Sequence, residues 1–139
     1  MNINKENNKI LVIHGPNMNL IGHQIIYKSS NITLDKINKH LRKTSNSFNY
    51  KLKIYQTNSE SKAVDIIQRN RNKVFNIILF PRTWQKSGHA LKDILSILMI
   101  PLTTISTGED VCLLKGSFNI HENDIYKSID KAFLNISKN

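Results

Sequence analysis

The chain has 139 residues, a formal net charge of +10 and 40% hydrophobic residues. This length suits one domain that can bury a substantial core, so we expect a single domain over residues 1–139. The one cysteine, Cys112, excludes an internal disulfide and a cysteine-based zinc site. The apolar runs are too short for a bilayer span, and the N-terminus lacks the apolar core of a secretory signal. We therefore expect a cytoplasmic globular protein.

The basic residues are spread along the chain without a dense block. Their tightest group is Arg69, Arg71 and Lys73, at the end of a predicted helix, where cations suit the helix dipole. The abundance of Asn, Lys and Ile is typical of A/T-rich coding sequences, so part of the net charge reflects composition. A nucleic-acid-binding face would concentrate charge or interleave aromatic residues with it. We therefore expect neither nucleic acid nor a membrane as a partner.

Short apolar runs alternate with amphipathic segments, a pattern typical of βαβ proteins. The apolar runs predict strands at residues 10–13, 52–55, 75–80, 102–105 and 111–114. The amphipathic segments predict helices at residues 33–43, 60–71, 88–99 and 123–136. Thr33 is the predicted N-cap of the first helix, and Asn58 or Ser59 that of the second. The apolar run at 75–80 indicates a central strand, so we expect a three-layer α/β domain with a parallel sheet in the order 2-1-3-4.

The fifth predicted strand does not fit this pattern. Only residues 106–110 separate it from the fourth strand, whereas a parallel crossover needs about a dozen residues. The segment at 111–114 is therefore antiparallel to the fourth strand, pairs elsewhere or is not a strand.

Polar residues follow the first four strands, in residues 14–19, 56–58, 81–86 and 106–109. Ligands of open α/β sheets bind beyond the carboxyl ends of the strands, so these loops are the predicted binding site. Residues 106–108 could cradle a phosphate with their backbone N–H groups. Residues 21–31 have no periodic pattern and predict a mobile lid that carries Tyr27.

Several of these residues also have a purely structural interpretation. His14 is either a catalytic group or a polar residue that faces the loop. Trp84 either stacks on a ligand or packs, and Lys86 is either a site cation or part of the solvated background. Tyr27 is either a base or a partly buried loop aromatic. Cys112 lies in an apolar run and is expected to be a small buried hydrophobe.

Three segments resemble the type II 3-dehydroquinate dehydratases. ILVIHGPNMNLIG is similar to the family pattern I-x-V-x-N-G-P-N-L-N-L-L-G, and QTNSE after the second strand to Q-S-N-x-E-G. IILFPRTWQKSGHALKDIL is similar to I-I-I-N-P-G-A-Y-T-H-T-S-V-A-L-R-D-A. The agreement stays in register from residue 8 to residue 105.

This resemblance implies a flavodoxin-like fold with sheet order 2-1-3-4-5 and a trimer-based homo-oligomer, which in the family is usually a dodecamer. It also implies removal of water from 3-dehydroquinate, in the shikimate pathway of aromatic amino acid biosynthesis. In the family a loop tyrosine, activated by an arginine, abstracts the proton, and a histidine protonates the leaving hydroxyl. No metal or cofactor is implied.

The family's proton-transfer positions differ in this chain. The first-loop asparagine is His14 here. The loop arginine falls on Gln24, and the tyrosine falls on Ser29, with Tyr27 two positions away. The acid histidine falls on Ser106.

The substrate-binding positions are also altered. The asparagine of the family's N-P-G pattern is Phe80 here, and the histidine of its T-H-T-S pattern is Lys86. The segment that carries a substrate-binding arginine is roughly a dozen residues shorter here. The candidate catalytic residues are Tyr27 and His14, and the candidate substrate-binding residues are Asn17, Lys86, Asp93, Ser106 and Thr107.

These substitutions predict weak or impaired dehydratase activity, because a positioned acid or base typically contributes ~100- to 10,000-fold. The alternative is a catalytically silent family member that acts as a binding or assembly subunit. A third hypothesis, a small nucleic-acid-binding α/β protein, is disfavoured by the scatter of the charge. The sequence separates the first two hypotheses poorly.

Overall fold

A parallel five-stranded sheet, in the order β2-β1-β3-β4-β5, organises the fold. The computed structural model describes residues 7–23 and 32–139. The strands are β1 Lys9–His14, β2 Lys51–Gln56, β3 Asn76–Phe80, β4 Leu102–Ile105 and β5 Phe118–Ile120. The predicted flavodoxin-like α/β fold and strand order are confirmed.

Five α-helices of the described ranges cover the two faces of the sheet. They are α1 Leu34–Ser47, α2 Glu60–Asn70, the single-turn α3 Trp84–Ser87, α4 His89–Leu98 and α5 Ile125–Ser137. Thr33 caps α1 by accepting the Lys36 N–H at 3.3 Å, which confirms the predicted cap. Ser59 is the cap of α2. None of the helices in the described ranges combines the length and hydrophobicity that a membrane span needs.

The apolar core consists of two layers, one on each side of the sheet. Ile10 and Val12 of β1 pack on the side of α1 and α5, whereas Leu11 and Ile13 pack on the side of α2 and α4. All four side chains are fully buried, and β3 between β1 and β4 is buried along its whole length. The prediction that the 75–80 run is a central strand is therefore confirmed.

Of the three alternatives for the candidate strand at 111–114, the structure shows the last, since these residues do not form a strand. These residues are irregular, and β5 lies later, at Phe118–Ile120, parallel to β4. The residues between Ile105 and Phe118 are sufficient for a parallel crossover, which the predicted position did not allow.

A buried side chain, Gln85, takes the place of a neighbouring strand for this segment. Its Oε1 accepts the N–H groups of Cys112 and Leu114, each at 2.9 Å, and its Nε2 donates to Leu114 O at 2.9 Å. The Gln85 carbonyl accepts the Leu113 N–H at 3.0 Å. The backbone N–H groups of residues 112–114 thus find hydrogen-bond acceptors without a neighbouring strand. The expectation that Cys112 is buried is wrong, because its side chain is exposed.

Most of the predicted lid lies outside the described residues. Residues 21–23 complete a 3-10 helix, Met18–His23, in which Ile21 is buried. Ile21 is therefore anchored to the core, whereas Gly22 and His23 are exposed. Tyr27, Gln24 and Ser29 lie outside the described residues.

Candidate functional site

The loops at the carboxyl edge of the sheet are tied to one another by hydrogen bonds. The Asn17 N–H donates to Asn58 Oδ1 at 2.9 Å, and Gln56 Nε2 donates to Gly15 O at 3.2 Å. Gly15 approaches the end of β3 so closely that a Cβ atom there would lie 2.7 Å from Phe80 O. The loops that the sequence predicts as a site therefore do come together.

His14 ends β1 and is fully buried, so it does not face the loop. Its Nε2 lies 2.8 Å from Asn38 Oδ1. Because that oxygen only accepts, Nε2 carries the proton and Nδ1 is left as an acceptor. Nδ1 is buried and has no hydrogen-bond partner among the described residues. Burial lowers the pKa of His14 to about 4, against the opposing effect of the Asn38 bond, so the ring is neutral at pH 7.

Phe80, at the end of β3, stacks on His14. The two residues are partners in the β1–β3 register, their ring centroids are 4.6 Å apart and the planes are 29° from parallel. We call this pair the floor of the site. The floor is uncharged, and the Phe80 ring has no group that hydrogen-bonds to a ligand.

A network of hydrogen bonds joins residues 106–109, which we call the turn. Ser106 Oγ donates to Glu109 O at 2.7 Å and accepts the Gly108 N–H at 3.0 Å. The N–H and the Oγ1 hydroxyl of Thr107 donate to Glu109 Oε1 at 3.1 Å and 2.9 Å. The predicted phosphate cradle thus already holds a carboxylate of its own chain.

Arg82 links this turn to the first loop. Its Nη1 donates to Thr107 Oγ1 at 2.8 Å and its Nε donates to Pro16 O at 3.3 Å. Its backbone has φ 54°, in the left-handed region that favours glycine. Such a conformation costs about 1–2 kcal/mol in a residue with a side chain.

Two cavities lie beside the turn. One, of about 660 Å³, opens between Lys86 on α3 and the segment from Thr107 to Cys112, and Arg82 lines it as well. The other, of about 210 Å³, lies beyond the turn and is lined by Ser106, Asn119 and His121 among others. Glu109 lines both cavities.

The predicted site residues are therefore spread over different places. Lys86 and Thr107 line the larger cavity, and Ser106 lines the smaller one. Asn17 is exposed in the first loop with φ 68°. Asp93 is exposed on the second turn of α4. Trp84 is 3% exposed and packs into the core, as its structural interpretation expects.

A family model described as dehydroquinase class II matches residues 8–107, which is well over half of the chain. The chain belongs to the class II dehydroquinase family. Two curated relatives, both named 3-dehydroquinate dehydratase, come from Endomicrobium trichonymphae and Halothermothrix orenii. The first is 37% identical over 93 residues, 67% of this chain and 65% of that protein. The second is 32% identical over 98 residues, 70% of this chain and 66% of that protein.

The chain matches slightly less than two thirds of the length of these two relatives. Solved structures show the same fold over nearly the whole chain. A type II dehydroquinase from Butyrivibrio crossotus has a TM-score of 0.78 at 21% identity, over 96% of this chain and 99% of that one. A 3-dehydroquinate dehydratase-like protein from Bifidobacterium longum has a TM-score of 0.74 at 15% identity, over 94% and 96%.

This dehydroquinase-family chain contains three site features that the sequence analysis missed. Arg82 occupies the glycine position of the family's N-P-G pattern, and a glycine there is itself a signal for positive φ. The contacts of Gln85 and Glu109 had no such signal, because both depend on how distant loops meet. The match to the family model ends at residue 107, just before Glu109 and the segment held by Gln85.

Proposed function

We propose that this class II dehydroquinase-family chain removes water from 3-dehydroquinate to give 3-dehydroshikimate, with low turnover. The supporting observation is the family match over residues 8–107, which covers the first three loops of the carboxyl edge and the first two residues of the turn. The curated relatives carry the name of this activity. The proposal includes the shikimate pathway, a cytoplasmic location and a trimer-based homo-oligomer.

Tyr27 is the proposed base, and His14 is the second proposed catalytic residue. Gln24 occupies the position of the arginine that activates the tyrosine in the family. A tyrosine without such a cation is almost entirely un-ionised at pH 7, because a phenol loses its proton near about pH 10. His14 is a neutral acceptor, since burial lowers its pKa to about 4, and it supplies no positive charge in place of the arginine.

Substrate binding is assigned to Asn17, Lys86, Asp93, Ser106 and Thr107. Lys86 is exposed at the mouth of the larger cavity, where an ammonium group suits a carboxylate. Ser106, in place of the acid histidine, cannot protonate a leaving hydroxide efficiently. We therefore expect turnover at least ~1,000-fold below that of a family member with the intact base and acid.

The test is the appearance of the conjugated enone of 3-dehydroshikimate, followed by ultraviolet absorbance. The purified chain should turn over slowly, and Tyr27→Phe should abolish the remaining activity. Tyr126→Phe is the matched control, because Tyr126 lies on α5 beside His40 and should not affect turnover. Activity equal to that of an intact relative, or activity unchanged in Tyr27→Phe, would contradict the assignment.

A second candidate is a catalytically silent subunit that binds or assembles without turnover. The stacked His14–Phe80 floor favours it, because two positions that are asparagine in the family pattern hold a fully buried, uncharged pair of rings here. This candidate predicts no enone at any enzyme concentration together with an intact homo-oligomer, measured by native mass spectrometry. Any turnover that depends on Tyr27 excludes it.

A further inference from the structure

Folding brings basic residues that are spread along the sequence onto one side of the sheet. The two helices on that side, α1 and α5, carry six Lys and Arg residues and two carboxylates, whereas α2 and α4 on the other side carry three of each. A lysine-rich composition would add charge to both sides alike, so the difference belongs to this surface. We call it the basic face. Its cations, all exposed, are Lys36, Lys39, Arg42, Lys43, Lys127 and Lys131.

Three of these cations form a row along α1. Lys36, Lys39 and Lys43 are three and four residues apart, a spacing that places neighbours on one side of a helix. At a rise of about 1.5 Å per residue, they follow one another at about 4.5 and 6 Å along the axis. Lys131 pairs with Glu122 at 3.0 Å, but Lys39 and Lys43 make no ion pair within the described ranges. The row therefore presents uncompensated charge to an extended polyanion.

A cavity of about 380 Å³, which we call the notch, lies between α1 and α5 beside this row. Lys43 lines it together with the hydroxyl side chains of Thr44 and Ser47 and the ring of Phe48. Phe48 is half-buried and stacks on Phe133 of α5, with ring centroids 6.3 Å apart. The notch thus combines a cation, two hydroxyls and an aromatic ring, within the size range of ligand sites.

One carboxylate, that of Asp130, also lines the notch. Its Oδ1 lies 2.8 Å from His40 Nε2 and accepts the Thr44 hydroxyl at 3.2 Å. Both partners are on α1, so Asp130 joins the two helices and holds the notch in shape. Its negative charge opposes the binding of an anion, which makes Asp130 a useful variant of opposite sign.

We propose that the basic face binds single-stranded nucleic acid, with phosphates along the lysine row and a base against Phe48 in the notch. A basic surface next to an aromatic ring is the usual means of binding single strands without sequence preference. An anionic membrane would need the charge alone, whereas the notch and its ring suit a base. The spread of charge along the sequence disfavours nucleic acid, but the packing of α1 against α5 brings distant cations together. The basic face does not include the carboxyl edge, so this inference is independent of dehydratase turnover.

The experiment titrates a fluorescently labelled thymidine oligonucleotide with the purified full chain and measures fluorescence anisotropy over a range of NaCl concentrations. The triple variant Lys36→Gln, Lys39→Gln, Lys43→Gln should bind at least ~30-fold more weakly than the parent at about 0.1 M salt. The slope of log K against log salt should fall in magnitude by about 2, because three phosphate contacts are lost.

The matched control is the triple variant Lys62→Gln, Arg69→Gln, Lys92→Gln on α2 and α4. It lowers the net charge by the same amount, and all three positions are exposed. Its affinity should stay within about threefold of the parent, because distant charges are screened by salt.

Two further variants test the notch. Phe48→Leu keeps an apolar side chain but should weaken binding at least ~5-fold with an unchanged salt slope, since stacking carries no charge. Asp130→Asn should tighten binding about twofold or more, because a repulsive charge is removed. Thermal unfolding shows whether each variant retains the fold, and the exposed lysine positions test the proposal even where Phe48→Leu is unstable.

Three outcomes would overturn the proposal. The first is an equal loss of affinity in the two triple variants, which would reduce the effect to net charge. The second is an unchanged affinity in a folded Phe48→Leu. The third is binding to vesicles that contain phosphatidylserine without binding to the oligonucleotide, which would make the basic face a membrane-binding surface.

Discussion

The floor and the turn both lie at the carboxyl edge of the sheet, but they differ in how their polar side chains are placed. At the floor, His14 is buried without charge and stacks on Phe80. At the turn, Arg82 and Glu109 are each hydrogen-bonded to Thr107. The strand ends have therefore become part of the core, while the charged groups of the site lie in the loops.

Truncation of Phe80 is expected to have the largest effect, because the floor is core. Phe80 is fully buried, so Phe80→Ala should lower the free energy of unfolding by about 3–5 kcal/mol. Urea denaturation measures this change. Phe118→Ala, at a half-buried strand position, is the control and should cost clearly less. A loss at Phe80 below that of Phe118 would show that the floor is a binding surface and not core.

Acid should destabilise the floor through His14. Burial lowers the pKa of His14 to about 4, whereas the unfolded chain binds the proton at the ordinary value of 6.5. Between these values the unfolded state holds more protons, so stability falls as the pH falls. The contribution of neutral His14 to the free energy of unfolding is fully present above pH 6.5. About 3 kcal/mol of this free energy is lost by pH 4.

Urea denaturation of the parent and of His14→Gln across this pH range tests the expectation. The variant should lose this part of the pH dependence. His89→Gln, at an exposed position on α4, should retain it. Identical pH profiles for the parent and His14→Gln would mean that the imidazole accepts a proton without unfolding, as a catalytic group would.

The smallest expected effect concerns Arg82 and tests whether its positive φ costs stability at the turn. Arg82→Gly and Arg82→Ala both remove the guanidinium, but only glycine adopts φ 54° without strain. The glycine variant should therefore be more stable than the alanine variant by about 1 kcal/mol. This figure already includes the larger backbone entropy that glycine loses on folding. Thermal unfolding of the pair measures the difference. Equal stabilities would show that the turn relaxes when the guanidinium is removed.

The strand order was predictable because residues 75–80 form an almost unbroken apolar run and a helix separates each successive pair of the first four strands. The caps at Thr33 and Ser59 follow from local hydrogen bonding, which short sequence patterns capture. The position of β5 was not predictable, because an apolar run indicates burial and not its partner. The partner of residues 112–114 is the Gln85 side chain, 27 and 29 residues away from Cys112 and Leu114.

The candidate site could be predicted to a similar degree. The rule for open α/β sheets points to the carboxyl edge, and the loops there do contact one another. The burial of His14 was not predictable, because a histidine after a strand fits a core position and a loop position equally well. The role of Glu109 depends on the distance between its carboxylate and Thr107, which only the folded turn defines.

The hydrogen bonds between Gln85 and the crossover from β4 to β5 also affect how this segment can move. The amides of Cys112 and Leu114 belong to no helix or strand, yet one buried side-chain oxygen binds both. Breaking those bonds inside the protein would leave the Gln85 amide without a partner, at a cost in free energy. The crossover should therefore stay closed until α3 itself moves, so the two segments open together as one cooperative unit.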